Sequence, residues 1–435
     1  GPNVARGLHL AGRILPRIVA YTYPYHLFPT TRGWIEKERM DDLPTYADAL
    51  PSDTQQFLSI AEEARIRLEG GVSAKKRPQA SSAWFVQIAE KVLDQVARSE
   101  SRFETADDPE FLSTIADLKI SAYLARYHAE RAEAGVRWKL FDLSQDLNAL
   151  DAAIAHEQKA VEAWASIAES AGDVYADDLM MGLRSAGLSG HWRDELAALR
   201  TGLEALEEKR RTYQPPSDAE RPWIAHIPVR KAGPGEDVIL RATVSSDRTP
   251  VELRIRYTTD DEAPAYAEMR PTADRYPWGG RYSGTIPGSD VAPGLSYTIE
   301  VTDAEGEQAV YPPDNAEAVE VTVTEDDEPP TIEHTAVTEA AAGRPLRIEA
   351  TVRDSSGAKW VRLRYRSVTQ YQDYRTLEMA PTDQPDRYVA TVPAAHVDPQ
   401  WDFMYFIEAM DEAGNGCIYP DLEVVTPYII VRLVR

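Results

Sequence analysis

Tyr297-Thr-Ile-Glu-Val-Thr-Asp-Ala-Glu-Gly306 is answered by Tyr405-Phe-Ile-Glu-Ala-Met-Asp-Glu-Ala-Gly414, 108 residues further on. The spacing holds well outside that phrase. His226 answers His334, Gly235 answers Gly343, Ala242 answers Ala350, Tyr257 answers Tyr365 and Tyr311 answers Tyr419, each at the same interval of 108. Leu253-Arg-Ile-Arg-Tyr257 likewise reads against Val361-Arg-Leu-Arg-Tyr365. The interval widens to 110 at Met269/Met379 and narrows to 106 at Tyr282/Tyr388, as loop insertions between equivalent strands produce. A period of this length is a whole domain, too long for the turn of a solenoid. The second half of the chain is therefore two copies of one module.

Each copy is built from short alternating runs broken by turns. In the last copy the expected strands are Leu346–Val352, Trp360–Tyr365, Thr376–Met379, Tyr388–Val392, Phe403–Ala409 and Tyr428–Val431. Alternation in Val361-Arg-Leu-Arg-Tyr365 puts the arginines outward and the apolar side chains inward, as in a half-buried antiparallel strand. Six or seven such strands in a hundred residues predict a β-sandwich. Pro- and acid-rich segments at 214–222 and 325–330 read as linkers, one before each copy.

The front half has a helical period from about Asp53 to Tyr213. Asp108-Pro109-Glu110 is a helix start, with acids over the N-terminus and proline inside the first turn. The apolar pattern then runs through Leu118, Leu124 and Leu140 to Phe141, which predicts one long central helix. Asp146 is expected to cap the next helix, which stops at Gly172, and a last one starts near His191-Trp192. Five antiparallel helices with short links make a bundle. Val4 to Val19 predicts one more short helix ending near Pro16. The expected organisation is multidomain α + β. An aromatic N-terminal strap (1–50) precedes an antiparallel helical bundle (51–214) and two tandem β-sandwiches (223–325 and 330–435).

Composition excludes some functions. The net charge of −24 repels phosphate backbones, so no nucleic-acid partner is expected. No apolar run approaches the ~18 residues of a membrane span. The single cysteine, Cys417, excludes a disulfide framework and a cysteine-based zinc site. Gly1-Pro2 reads as the remnant of a cleaved tag, and the chain is expected to be a fragment of a longer protein.

Two irregular stretches hold the candidate chemistry. Tyr21-Thr-Tyr-Pro-Tyr-His-Leu-Phe-Pro-Thr30, closed by Trp34, cannot be a regular helix because Pro24 and Pro29 remove donors. It is either a binding wall offering Tyr21, Tyr23, Tyr25, His26 and Trp34, or an apolar strap over a neighbouring domain. The connection from Gly172 to Gly190 is longer than a bundle needs. Its Asp177 and Asp178, with His191 and Trp192, form either an acid/base or cation-holding group, or a solvated turn beside a helix cap. No cofactor is expected, and a structural calcium ion stays open.

The paired modules resemble bacterial immunoglobulin-like and fibronectin type III domains, with Tyr297 and Tyr405 near the place of their structural tyrosine. The whole arrangement is similar to the C-terminal region of large secreted bacterial polysaccharide-degrading proteins. Val174-Tyr-Ala-Asp-Asp178, Gly190-His-Trp-Arg-Asp194 and Asp421-Leu-Glu-Val-Val-Thr-Pro-Tyr428 prompt that comparison. The resemblance implies secretion, to the periplasm, the cell surface or beyond, and a glycoside-hydrolase-like domain upstream as partner. It carries over no catalytic residue. Under it the chain is an accessory part whose aromatic faces meet polysaccharide, and Tyr23, Trp34, Trp192, Trp278, Tyr371, Tyr374 and, at the other edge of the second sandwich, Trp401 are the candidates. The competing readings are a polysaccharide lyase or hydrolase in its own right, for which Tyr25 and His26 as base and Arg32 as cationic clamp are the nearest set, and an adhesion protein.

Overall fold

A computed structural model describes residues 1–22, 29–30, 33–34, 42–101, 108–180, 189–216, 221–249, 251–259, 263–313, 316–369 and 371–434; the side chains of 29, 30, 33, 34, 180 and 273–275 lie outside the description. The fold is mixed α + β, with helices first and antiparallel β-structure after them. In chain order the first part holds α1 (Pro2–Ala11), α2 (Ile14–Tyr21), the two-residue strands β1 (Pro29–Thr30) and β2 (Gly33–Trp34), α3 (Leu43–Asp48), α4 (Ile60–Glu69), α5 (Pro78–Glu100), α6 (Pro109–Ser144), α7 (Leu147–Ala171), β3 (Leu179–Met180), β4 (Ser189–Gly190) and α8 (Trp192–Arg211).

The expected N-terminal helix is two helices. Pro16 does not end it but sits in the first turn of α2, where its missing N–H would have had no partner; the break falls at Gly12–Arg13. The start of α6 is as its sequence dictates. The Asp108 carboxylate accepts from the amides of Glu110 at 2.9 Å and Phe111 at 3.2 Å, and Pro109 occupies the first turn. Over its 36 residues α6 packs against α5 and α7 and forms the centre of the helical part. Leu118 and Leu140 are buried on it. So are Arg131 and Glu157 of α7, which form an ion pair at 2.8 Å inside the core. Nothing in the periodicity announces that pair.

The first copy of the repeat comprises β5 (Trp223–His226), β6 (Lys231–Ala232), β7 (Val238–Ser245), β8 (Glu252–Thr259), β9 (Ala265–Tyr276), β10 (Gly279–Ile286), β11 (Leu295–Thr302), β12 (Gln308–Tyr311), β13 (Val319–Glu320) and β14 (Thr322–Val323). The second comprises β15 (Thr331–Glu333), β16 (Glu339–Ala341), β17 (Leu346–Arg353), β18 (Ala358–Ser367), β19 (Arg375–Glu378), β20 (Ala380–Pro381), β21 (Arg387–Val392), β22 (Phe403–Asp411), β23 (Gly416–Tyr419) and β24 (Ile429–Val434). Two sheets enclose the second core, in orders β15-β17-β21-β20 and β16-β24-β22-β18-β19, with β23 on β22. In the first copy β9 is one continuous strand that pairs with both β8 and β10, so the sheets join.

Strand register accounts for the drifting repeat interval. Tyr282 lies opposite Ala242 as Tyr388 lies opposite Ala350, which makes those tyrosines equivalent at 106 residues. Leu253 faces Met269, and the Met379 amide bonds the Val361 carbonyl, which places that pair at 110. The conserved spacing elsewhere maintains a clasp. The Val229 amide donates to the Tyr297 hydroxyl at 2.9 Å, and that oxygen lies 2.8 Å from His226 Nε2. His226 Nδ1 lies 2.6 Å from the Arg241 carbonyl. A carbonyl only accepts, so Nδ1 carries the proton and Nε2 accepts from the tyrosine. The second copy repeats every bond, with Val337 to Tyr405 at 2.9 Å, Tyr405 to His334 at 2.7 Å and His334 to the Glu349 carbonyl at 2.6 Å.

By contacts the chain divides into two units. One is Gly1–Glu69, Arg77–Arg230 and Gly235–Val321; the other is Gly70–Lys76, Lys231–Pro234 and Thr322–Arg435. In the first unit, helices and β-strands share an interior: Thr243 Oγ1 on β7 donates to Asp146, the cap of α7, at 2.7 Å and accepts from the Leu147 amide at 2.9 Å. Burial raises the Asp146 carboxyl to about 6, with those hydrogen bonds pulling the other way. In the second unit, the link between α4 and α5 lies against β23. A Cβ on Gly416 would stand 2.6 Å from Ala74 Cα, so only glycine permits that approach. Lys76 holds the same strap by Asp421 at 3.3 Å. All nine residues of β22 are buried, on both faces, where its counterpart β11 alternates.

Candidate functional site

The described parts of the Gly172–Gly190 connection, 172–180 and 189–190, cap and pair the start of α8; 181–188 lie outside the described residues. His191 is the N-cap of α8: its Nδ1 accepts from the Arg193 amide at 3.2 Å, while its own amide donates to Asp194 Oδ2 at 2.9 Å. This reciprocal cap satisfies two otherwise orphaned helix donors. Asp177 is exposed and meets Arg193 Nη1 at 3.1 Å, and Arg193 also bonds the Gly172 carbonyl at 2.7 Å. Asp178 is exposed in the same turn. Trp192 stacks edge-on with Tyr175 at 5.3 Å and packs on the helical core. The predicted residues do gather at one end of α8. In this arrangement they cap and pair, and the histidine Nδ1 already accepts a backbone proton. Tyr23, Tyr25, His26 and Arg32 lie outside the described residues; the backbone of Trp34 is in β2, and its side chain is outside them.

Of the aromatic candidates, Trp278 is half-buried. It stacks on Tyr276 at 4.6 Å and meets Tyr213 edge-on at 5.8 Å, so it packs against the helices instead of presenting a free face. Tyr374 covers the outer side of β22, with Phe406 at 5.1 Å and the Arg366 guanidinium at 4.6 Å over its ring. Tyr371 is 85% exposed and Trp401 40%. Contrary to expectation, Trp401 is not at a different edge. The Val368 amide donates to the Asp402 carbonyl at 2.7 Å, which brings the Trp401 loop beside the Val368–Tyr371 loop. One end of the second module thus carries two exposed aromatic faces, with Tyr374 next to them. Each sits on a short connection anchored to a paired strand, β18 or β22.

A second cluster in the same unit was invisible as a pattern. Asp326, Asp354 and Asp411 bring one carboxylate oxygen each within 4.8 Å of one another. Asp326 comes from the linker, Asp354 from the β17–β18 turn and Asp411 from the end of β22. Asp411 is fully buried and accepts from the Asn415 amide at 2.6 Å and from Asn415 Nδ2 at 2.7 Å. Burial works against the charge on Asp326. Ser355, Ser356, the Glu328 amide and Lys231 outweigh it and hold that carboxyl below its usual range. Lys231 Nζ stands 2.7 Å from the Asp326 carbonyl and 3.0 Å from Asn415 Oδ1. The first copy solves the same position differently: Ser246 replaces Asp354, and Arg248 stands 3.9 Å from Asp303, the counterpart of Asp411. Three hard oxygen donors suit a divalent cation of the calcium or magnesium kind better than zinc, whose sites favour histidine nitrogen and cysteine sulfur. The sequence signal was Asp354-Ser-Ser-Gly357 and Asp411-Glu-Ala-Gly-Asn415, legible only as turn chemistry.

No family model matches the chain, and no curated protein does. The site has to speak for itself.

Proposed function

We propose that this chain is the accessory, non-catalytic part of a secreted bacterial carbohydrate-active enzyme. It supports or extends a glycoside-hydrolase-like domain and contacts polysaccharide through the Tyr371–Trp401 end of its second module. The observation that carries this reading is the contrast among the predicted residues: His191 and Asp177 are spent on a cap and an ion pair, while Tyr371 stands 85% exposed. Exposed aromatic rings are the usual support for the apolar faces of sugars, as they are for other partly apolar partners. The strand orders support immunoglobulin-like sandwiches, since one four-stranded sheet faces a sheet ordered around the β22 and β18 pair. The helices support an antiparallel bundle, with the short link from α6 to α7 returning the chain alongside itself.

Screening the full chain against neutral, uronic and sulfated glycans tests this directly. Retention without turnover is expected, and Tyr371→Ala with Trp401→Ala should abolish it. Turnover lost in His191→Ala would instead make the chain the enzyme. The carboxylate cluster fits a structural calcium ion, which ties the linker to the β17–β18 turn and the end of β22. Calcium at a hundred times its Kd should stabilise the second unit by about 2.7 kcal/mol. That gain is read as a rise in melting temperature which Asp411→Asn removes. Equal melting with calcium and with chelator excludes the ion.

A further inference from the structure

Ala5, Leu8, Gly12, Leu15 and Val19 stand on the solvent side of α1 and α2, and every one of them is exposed. They recur at intervals of three, four, three and four residues, the spacing of an apolar seam between paired helices. The break at Gly12–Arg13 does not scatter them, because both residues keep right-handed helical dihedrals. The Gly12 amide bonds the Leu8 carbonyl at 2.9 Å, and the Arg13 amide bonds that of Leu10 at 3.2 Å. The row therefore runs for about 21 Å along one face. Its three large members are well in water, with Leu8 50% exposed, Leu15 63% and Val19 41%.

These helices cannot roll over to hide that row, because the opposite face is already committed. Gly7, Ile14, Ile18 and Tyr21 are buried. A Cβ on Gly7 would stand 3.1 Å from Leu118 of α6, and Arg17 lies over the Phe57 and Trp84 rings at 4.7 and 5.0 Å. A helix with apolar side chains on both faces is ordinarily buried all round, so a row left in water marks a contact surface. Charge says what kind of partner it takes. Residues 1–22 carry three arginines and no acid, within a chain of net charge −24. Arg6, His9 and Arg13 are exposed and, by helical spacing, lie together along one border of the row. Pairing two copies of this face would set like charges side by side, and the acidic remainder of the chain is repelled by an anionic membrane. The complement is an apolar helix bordered by carboxylates.

We propose that this face docks a helix of the preceding glycoside-hydrolase-like domain, one with an apolar row bordered by aspartate or glutamate. The proposal rests on the accessory reading above and names where that domain is held. Iodoacetamide labelling of Leu15→Cys, located by peptide mass, tests it in this chain and in the longer polypeptide that includes the preceding domain. Labelling should be about tenfold slower in the longer polypeptide. Val424→Cys, at a position 78% exposed in the other unit, should react equally in both. Arg6→Glu should raise the slowed rate about threefold, because repulsion then replaces attraction. Equal labelling of Leu15→Cys in both polypeptides overturns the assignment, and so does protection that Arg6→Glu leaves unchanged. Dimerisation of this chain that Leu15→Glu abolishes gives the face to a second copy, and retention on phosphatidylglycerol vesicles lost in the same variant gives it to lipid; either overturns the proposal. An unprotected Leu15→Cys beside a glycoside-hydrolase-like domain sinks this inference only. Protection by a preceding domain of another kind sinks the carbohydrate reading and leaves the docking face standing; a longer polypeptide with nothing before α1 sinks both.

Discussion

Replacing Arg131 with alanine should cost the helical part about 3–5 kcal/mol, the range for breaking a buried ion pair from one side. The guanidinium is fully buried and reaches Glu157 by Nη2 at 2.8 Å and by Nε at 3.2 Å, while Nη1 donates to the Tyr127 hydroxyl at 2.6 Å. Tyr46 and Tyr127 place their rings 5.2 and 5.3 Å from it. Burial works against its charge, but Glu157 and the tyrosines more than offset that, so the group stays protonated. Removing it strands a carboxylate that is itself 1% exposed and a phenol without its donor. Urea unfolding followed by helical circular dichroism measures the loss. Arg131→Met with Glu157→Leu should recover most of it, because an apolar pair of similar volume carries no desolvation penalty. A single variant that loses less than about 1 kcal/mol would mean that water reaches the pair.

Acid should loosen the molecule through its buried imidazoles before it protonates the surface acids. Burial lowers His226 to about 4 and His128 to about 3, and it lowers His334 as well. Each is held neutral in the fold, below the ordinary value of 6.5. The unfolded chain therefore binds more protons, and the stabilisation is complete above pH 6.5 and lost as pH falls toward the folded value. For His226 the loss by pH 4 is about 3 kcal/mol. Protonation would put a second N–H against the Tyr297 hydroxyl, which can turn its own proton away only by abandoning its present bond. Asp146 works in the opposite sense: raised to about 6, it favours the fold as pH falls below that value and partly masks the histidines. Proton NMR of the imidazole rings separates the two. The His226 and His128 rings should hold their neutral shifts down to about pH 5. A midpoint near 6.5 for either would contradict the burial on which the clasp and the helical core depend.

Much of the architecture was legible because it is local or repeated. Asp108 and Asp146 start helices through bonds made within three residues, and a sequence window contains both partners. The clasp was legible as spacing: His226 and Tyr297 keep their interval in the second copy because a displaced ring would break three bonds at once. Even the drift to 106 and 110 falls where β9 and β10 have register freedom. Pro16 misled because a missing donor ends a helix only in its interior, and here it lies in the first turn.

What only the tertiary structure decided is which distant segments meet. Asp326, Asp354 and Asp411 come from a linker, a turn and a strand end; their convergence follows from how β17 and β18 lie beside β22, which composition does not encode. The Trp401 and Tyr371 loops share one end because β18 pairs β22 as far as Ser367 opposite Phe403, extended by the Val368 amide on the Asp402 carbonyl. The sheets of the first copy join because β9 changes partner in mid-strand. One tertiary fact did leave a trace: Phe406 and Met410 stand where the first copy has Thr298 and Thr302. Apolar residues on the outward positions of β22 announce that this face is covered, and the structure shows the strap Gly70–Lys76 and Tyr374 over it. By itself the sequence determined the long helices, their caps and the doubled module, since those rest on neighbours along the chain or on its own repetition; the break at Gly12–Arg13 and the short α3 were not among them. Pairing between segments tens of residues apart determined the aromatic end and the carboxylate cluster, because burial and charge at those places depend on neighbours that only the folded chain supplies.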